Sequence, residues 1–210
     1  MRSQPLTLTT SDGCTLVARS AGPEGRPPAS VDLAVVITHP HPSYGGTMDV
    51  PVVQAMFERA VNAGCVAVMF NFRGAGGSTG RHDHGDAEQR DVAAAIDAAV
   101  ALAPGAPVLL AGYSFGAGVA LQVTDERVLG WFMIAPQARP DMAAGSDPRM
   151  KRFVVPEHDQ YCSPDDALAA VVGWAATEII ELTMADHFLA GAAARAADHL
   201  TAMIAEVTAS

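Results

Sequence analysis

Lysine is almost missing from this 210-residue chain. Lys151 stands alone beside twelve arginines, and acidic side chains outnumber basic ones 23 to 13. The net charge of −10 repels nucleic-acid phosphates and no basic stripe offsets it, so nucleic acid is excluded as a partner. The arginine excess reads as coding bias more than as a binding surface. Cysteine is scarce too. Cys14, Cys65 and Cys162 are an odd, widely spaced set with no Cys-x-x-Cys, which argues against a disulfide framework or a zinc knuckle. Cys65 opens an apolar run and is expected in the core. Met1 to Pro5 lack the apolar stretch of a secretory signal. Asp91, Asp97 and several Gly and Pro residues interrupt every apolar segment before it could span a bilayer. The expectation is a cytoplasmic protein with no membrane contact. Charged residues make up 17% and hydrophobic ones 50%, which suits one domain over residues 1–210 with a sizeable core. Trp131 and Trp174 are assigned to core or interface.

What is present centres on Pro107 to Gly118. An apolar run, Val108-Leu109-Leu110-Ala111, turns at Gly112-Tyr113-Ser114-Phe115-Gly116 into small residues able to open a helix. This is the Gly-x-Ser-x-Gly elbow, which holds a serine on a strained strand-to-helix turn with its hydroxyl exposed. Gly112 and Gly116 flank it because a side chain there would collide with the strand or helix packed beside the turn. Gly76-Gly77-Ser78-Thr79-Gly80 matches the same pattern, but Ser78 sits in a glycine-dense stretch followed by the polar run Arg81 to Asp86, so no helix begins after it. Ser78 is read as a loop residue and Ser114 as the nucleophile.

Leu6 to Thr9 and Thr15 to Ala18 alternate around a Ser11-Asp12-Gly13 turn as a hairpin. Gly22 to Ser30 is a Pro/Gly loop. Leu33 to Thr38 and Cys65 to Phe72 read as buried strands. A helix starts near Asp49 and Pro51 and closes at Gly64. Asp86, with a capping-box-like Gln89, begins an alanine-rich helix ending at Pro104-Gly105. Val128 to Ile134, Phe153 to Val155 and Ile179 to Leu182 are further strands. Asp165 to Ala176 is a helix, and the last one runs from His187 or soon after to about Glu206. Strands alternating with helices predict an α/β fold, a mostly parallel sheet with helices on both faces, with function gathered beyond the carboxyl ends of the strands.

Three motifs in this order, His39-Pro40-His41-Pro42-x-x-Gly45-Gly46, then Asn71-Phe72-Arg73-Gly74-x-Gly76-x-Ser78-x-Gly80, then the elbow, followed by an acid and a histidine, resemble the α/β-hydrolase fold over nearly the whole chain. The chain is most similar to its small, lidless, dienelactone-hydrolase-like branch. That branch's best-known enzymes use a cysteine nucleophile; Ser114 stands here instead, so lactone hydrolysis is not implied. Fewer than twenty residues separate Ile134 from Phe153, too few for the helical lid of many relatives.

The resemblance implies a serine hydrolase working by two-step acyl transfer on a small ester or thioester. Its chain order, Ser then acid then His, selects His187 as the base; His199 lies deep in the final helix. Asp159 is the expected orienting acid, a few residues before Pro164. Glu157 is a rival, because Pro156-Glu157 stand where the family often has glycine, and Asp141 is a third candidate. Asp165 and Asp166 are read as helix caps. The oxyanion donors are expected to be the backbone N–H of Phe115 and of His41, whose neighbours Pro40 and Pro42 have none. Arg73 is read as a structural hydrogen-bonder. No cofactor is implied, a small-molecule acyl substrate is the one partner expected, and oligomeric state carries no signal. Two alternatives stand beside this reading: a non-catalytic binding protein on the same fold, and a metal-dependent hydrolase using His39, His41, His82 and His84, although no closed ligand set is apparent.

Overall fold

The computed structural model describes residues 3–25, 27 and 30–209. Met1, Arg2, Ser210 and three members of the Gly22 to Ser30 loop (Arg26, Pro28 and Ala29) lie outside the described residues. The Ser11-Asp12-Gly13 turn folds β1 (Gln4–Thr9) antiparallel onto β2 (Thr15–Ala21), with Gly13 at φ 84. Six more strands follow: β3 (Ala34–Thr38), β4 (Val66–Phe70), β5 (Val108–Tyr113), β6 (Val128–Ile134), β7 (Met150–His158) and β8 (Thr177–Asp186). Together they form an eight-stranded sheet in the order β1-β2-β4-β3-β5-β6-β7-β8, parallel from β4 to β8. The α/β expectation holds.

Pleating sends alternate side chains to opposite faces, and both faces are covered. Val35, Ile37, Ala67, Met69, Leu109 and Ala111 meet α1 (Pro51–Asn62) and α5 (Ala193–Thr208). Val36, Val68, Leu110, Trp131 and Met133 meet α2 (Glu88–Leu102), α3 (Phe115–Ala120) and α4 (Pro164–Ala170). Strand order reverses at β3, which pairs with β4 on one side and β5 on the other. At such a switch point the connections leave in opposite directions and open a crevice at the carboxyl ends. The loops after β3 and β5 flank it.

Several boundaries differ from the sequence expectation, each for a tertiary reason. β7 begins three residues earlier than its apolar stretch because Lys151 is buried, its Nζ donating to the carbonyls of Asp147, Arg149 and Ala175 at 2.6, 2.7 and 2.9 Å. β8 is a long edge strand whose Glu178 reaches Arg152, so its polar residues hid its length. Residues 183–186, expected as a loop, are its bulged end. α1 starts at Pro51 behind Val50, and Asp49 instead pairs with Arg19 at 2.6 Å. α2 starts at Glu88 with no side-chain cap, so the capping role expected of Asp86 and Gln89 is absent. α4 is shorter than expected and carries a Ser163–Asp166 capping box. α5 begins only at Ala193, after two turns that follow His187. The segment between β6 and β7 lies down against α3, Ala144 N–H donating to the Leu121 carbonyl, and forms no lid. Among the described residues no helix is long and apolar enough to cross a membrane.

Candidate active site

Ser114 joins β5 to α3 at φ 54 and ψ −119, a conformation that costs a side-chain-bearing residue about 1–3 kcal/mol. Its neighbours make that turn sterically possible. A Cβ on Gly112 would lie 2.6 Å from Thr38 Oγ1 and 2.8 Å from Ala117 Cα, and one on Gly116 would lie 2.5 Å from the His39 carbonyl oxygen. Both glycines are thus places where strand, helix and the loop after β3 close on each other. As the first helical residue, Phe115 has an N–H that α3 cannot satisfy.

Register brings the remaining groups in. Tyr113 pairs with Ile134, and at the far side of the sheet His158 pairs with Asp186, so the next residues, Asp159 and His187, leave neighbouring strand ends together. Ser114 Oγ lies 2.8 Å from His187 Nε2, and His187 Nδ1 lies 2.8 Å from Asp159 Oδ2. The other Asp159 oxygen accepts from the amides of Tyr161 and Cys162 at 2.9 and 3.1 Å. An ionised carboxylate only accepts, so this network assigns the proton to Nδ1 and leaves Nε2 to accept from the serine hydroxyl. Asp159 and His187 are both buried.

The rival acids are engaged elsewhere. Between Pro156 and His158 the β7–β8 register slips, three residues of β8 (183–185) facing Glu157 alone on β7, and Glu157 Oε2 accepts from the Met184 amide inside that bulge at 2.7 Å. Asp141 is exposed and sits 3.5 Å from Arg139. Ser78 Oγ donates to the Asn71 carbonyl and accepts from the Val17 amide, so the second Gly-x-Ser-x-Gly serine ties a loop to β2. Arg73 is buried against Asp91 and Asp12 at 2.7 and 2.8 Å, and these carboxylates raise its already high pKa against the opposing effect of burial.

Two positioning contacts carry no signal in the sequence. Tyr113 Oη donates to the His187 carbonyl at 2.7 Å, and the His187 amide donates to Gln160 Oε1 at 3.2 Å, so the histidine backbone is held at both ends. Burial, with the charges of Asp159 and Asp186, pushes the Tyr113 phenol up to about 12 and keeps it a donor.

The two His-x-His pairs divide. His39 is fully buried, Nε2 accepting from the Phe72 amide at 2.9 Å and Nδ1 set against the Pro40 carbonyl at 2.6 Å. His41, His82 and Phe115 cluster with ring centroids 4.6–5.2 Å apart, and His84 lies 4.9 Å from His82. His82 Nδ1 meets Glu88, whose carboxylate also accepts from the amides of Asp83 and Gly85. Burial opposes ionisation of Glu88, but these donors outweigh it and hold its pKa below the ordinary range. Among the described residues no three His, Cys, Asp or Glu side chains are arranged to hold a metal. His41 lies in the loop after β3, its carbonyl accepting from Tyr44 and Gly46; its own N–H has no acceptor among the described residues.

Burial lowers the His39 pKa from 6.5 to about 4, against the raising effect of the Pro40 carbonyl. The unfolded chain therefore binds the extra proton between these values, and stability falls as pH drops through that window. The expected loss is about 3 kcal/mol by pH 4, at ~1.4 kcal/mol per pKa unit. Urea unfolding at pH 7.5 and 4.5 measures it, and His39→Gln, which keeps an acceptor for Phe72, should flatten the slope. An unchanged slope in that variant would place the acid sensitivity in other groups.

A cavity of about 540 Å³ opens over Ser114 and His187, walled by Tyr44, Val50, Tyr161 and Phe188. Tyr44, Tyr161 and Phe188 are exposed at its rim. The size is that of a small-molecule site.

A family model described as "Alpha/beta hydrolase family" matches residues 35–209. An alpha-beta serine hydrolase homologue from Coxiella burnetii is 26% identical, with a TM-score of 0.84 over 97% of this chain and 98% of that one. A lidless a/b serine hydrolase from Xanthomonas campestris is also 26% identical, with a TM-score of 0.86 over 98% and 95% of the two chains. An uncharacterized protein from Rickettsia prowazekii is 38% identical over 117 residues, which cover 50% of this chain and 48% of that relative's length. The chain belongs to the alpha/beta hydrolase family, in its lidless form.

Proposed function

We propose that this chain is a carboxylic ester hydrolase that works by two-step acyl transfer on a small ester or thioester. The observation that carries the reading is the unbroken hydrogen-bonded line from Ser114 Oγ through the His187 imidazole to Asp159, at 2.8 Å for each link. A serine hydroxyl is a poor nucleophile at neutral pH and needs a base within that reach. Ser114 Oγ attacks the carbonyl carbon as His187 Nε2 takes its proton. Asp159 holds the tautomer and stabilises the imidazolium. The His41 and Phe115 amides receive the oxyanion. His187 then protonates the leaving oxygen (sulfur in a thioester) as its bond to carbon breaks. Water, giving its proton to the same imidazole, attacks the acyl carbon, and the bond to Ser114 Oγ breaks as the imidazolium returns the proton to that oxygen and the acid leaves. The open site around Ser114 favours small or exposed acyl groups.

A fluorophosphonate probe tests the nucleophile directly. Wild type and Ser78→Ala should label, Ser114→Ala should not, and a chelator should leave labelling unchanged. Labelling lost in Ser78→Ala and retained in Ser114→Ala would reverse the assignment; no labelling of wild type would favour a binding protein, or a metal-dependent hydrolase where hydrolysis is present and a chelator abolishes it.

A further inference from the structure

Two recesses meet at Ser114, and their walls differ in chemistry. The large one is aromatic and includes His187. The second, of about 110 Å³, is lined by Ser114 and Phe115 together with Gln89, Gln122, Gln137 and Arg139, and His187 is not among its walls. From this division we infer that the substrate is an ester of a short, hydroxylated acyl group with a larger apolar or aromatic alcohol. The inference rests on the acyl-transfer reading above and assigns each half of the ester to one recess.

The assignment follows from the proton. After Ser114 Oγ bonds to the carbonyl carbon, its proton resides on His187 Nε2, and it must pass to the leaving oxygen as the carbon–oxygen bond breaks. That oxygen must lie within hydrogen-bond reach of Nε2. The alcohol half therefore occupies the recess that contains His187, against Tyr161 and Phe188. The acyl half is left with the recess on the other side of Ser114. At about 110 Å³ this space is smaller than the ~150 Å³ cavity that accepts a benzene ring, so a chain of a few carbons fills it.

Polarity sets the rest of the acyl group. Gln89 of α2, Gln122 just past α3 and Gln137 in the loop after β6 line the recess, Gln137 standing on the border it shares with the large cavity. Gln122 Oε1 already accepts from the Ala143 amide at 3.3 Å, which leaves its NH₂ group to donate elsewhere. An alkyl chain laid against these amides strips their water and returns nothing, whereas a hydroxyl replaces it. Asp86 lines the recess, and Arg139, which also lines it, already has Asp141 at 3.5 Å, so a neutral polar substituent is favoured over an anion.

The test compares phenyl 3-hydroxybutanoate with phenyl 3-methylbutanoate, which share a leaving group and nearly share a shape. Wild type should prefer the hydroxy ester about tenfold in kcat/KM, the discrimination expected of one added hydrogen bond. In Gln89→Leu/Gln137→Leu the ratio of the two kcat/KM values should collapse toward one; because the esters share a leaving group, that ratio reads the acyl side alone. A wild-type preference for the methyl ester, or a preference that survives the double substitution, overturns this inference and leaves the hydrolase reading intact. Fluorophosphonate labelling without hydrolysis of either ester has the same meaning. Absence of both labelling and hydrolysis overturns the two together.

Discussion

Ser114→Ala is expected to lower kcat by about a million-fold, because in the proposed mechanism Ser114 is the nucleophile of a cooperating triad, and removing it costs nearly as much as removing the whole set. The residual rate over water comes from the oxyanion donors and binding, which the substitution leaves in place. Stopped assays with an activated phenyl ester read the loss, and a drop of less than about a hundredfold would show that another group attacks. The same position carries a second, independent expectation. Alanine keeps the strained backbone of Ser114, whereas glycine occupies φ 54, ψ −119 without a Cβ clash. Ser114→Gly should therefore be as inactive as Ser114→Ala yet more stable by about 1 kcal/mol, after the unfolded-state entropy of glycine is set against the strain relieved. In a domain of this size that is a rise of roughly 2–4 °C in Tm over the alanine variant. Equal melting points would mean that the elbow stores no strain.

Asp159→Asn is expected to reduce kcat by about ten-thousand-fold with little change in fold. The asparagine oxygen can still accept from the Tyr161 and Cys162 amides, so the loop is retained. Its NH₂ group then faces His187 Nδ1, which must accept rather than donate. The imidazole proton moves to Nε2, and Ser114 loses its base. Glu157→Gln and Asp141→Asn should leave kcat close to wild type, since one carboxylate caps the β8 bulge and the other lies in solvent beside Arg139. A large loss in Glu157→Gln, with Asp159→Asn active, would transfer the orienting role. Measuring kcat and KM separately matters, because a tautomer defect acts on turnover and leaves substrate binding unaltered.

Much of the architecture was legible in the residues. Apolar runs at β3, β4 and β5 are buried on both faces, and unbroken hydrophobicity is the signature of such strands. β7 and β8 were only half legible. Lys151 and Arg152 lie outside the strand expected over Phe153 to Val155, yet both belong to β7, where one spends its donors on three carbonyls and the other pairs with Glu178 and Glu206. Helix starts failed where a buried side chain outweighed propensity, as at Glu88. The histidines were hardest: His39 and His41 are two residues apart, yet one is sealed in the core beneath Phe72 and the other lines the cavity.

Local sterics explain why so much could be read from order alone. The need for glycine at 112 and 116, the apolar period of each strand and the small residues opening α3 are all short-range demands, written within a few positions of where they act. Partnership is different. Ser114 and His187 are 73 residues apart, and His187 and Asp159 are 28 apart. Whether they touch depends on the pairing of His158 with Asp186, on a bulge that occupies Glu157, and on the tie from the Tyr113 hydroxyl to the His187 carbonyl. Those are contacts between strand ends, and no window of sequence contains both sides of them.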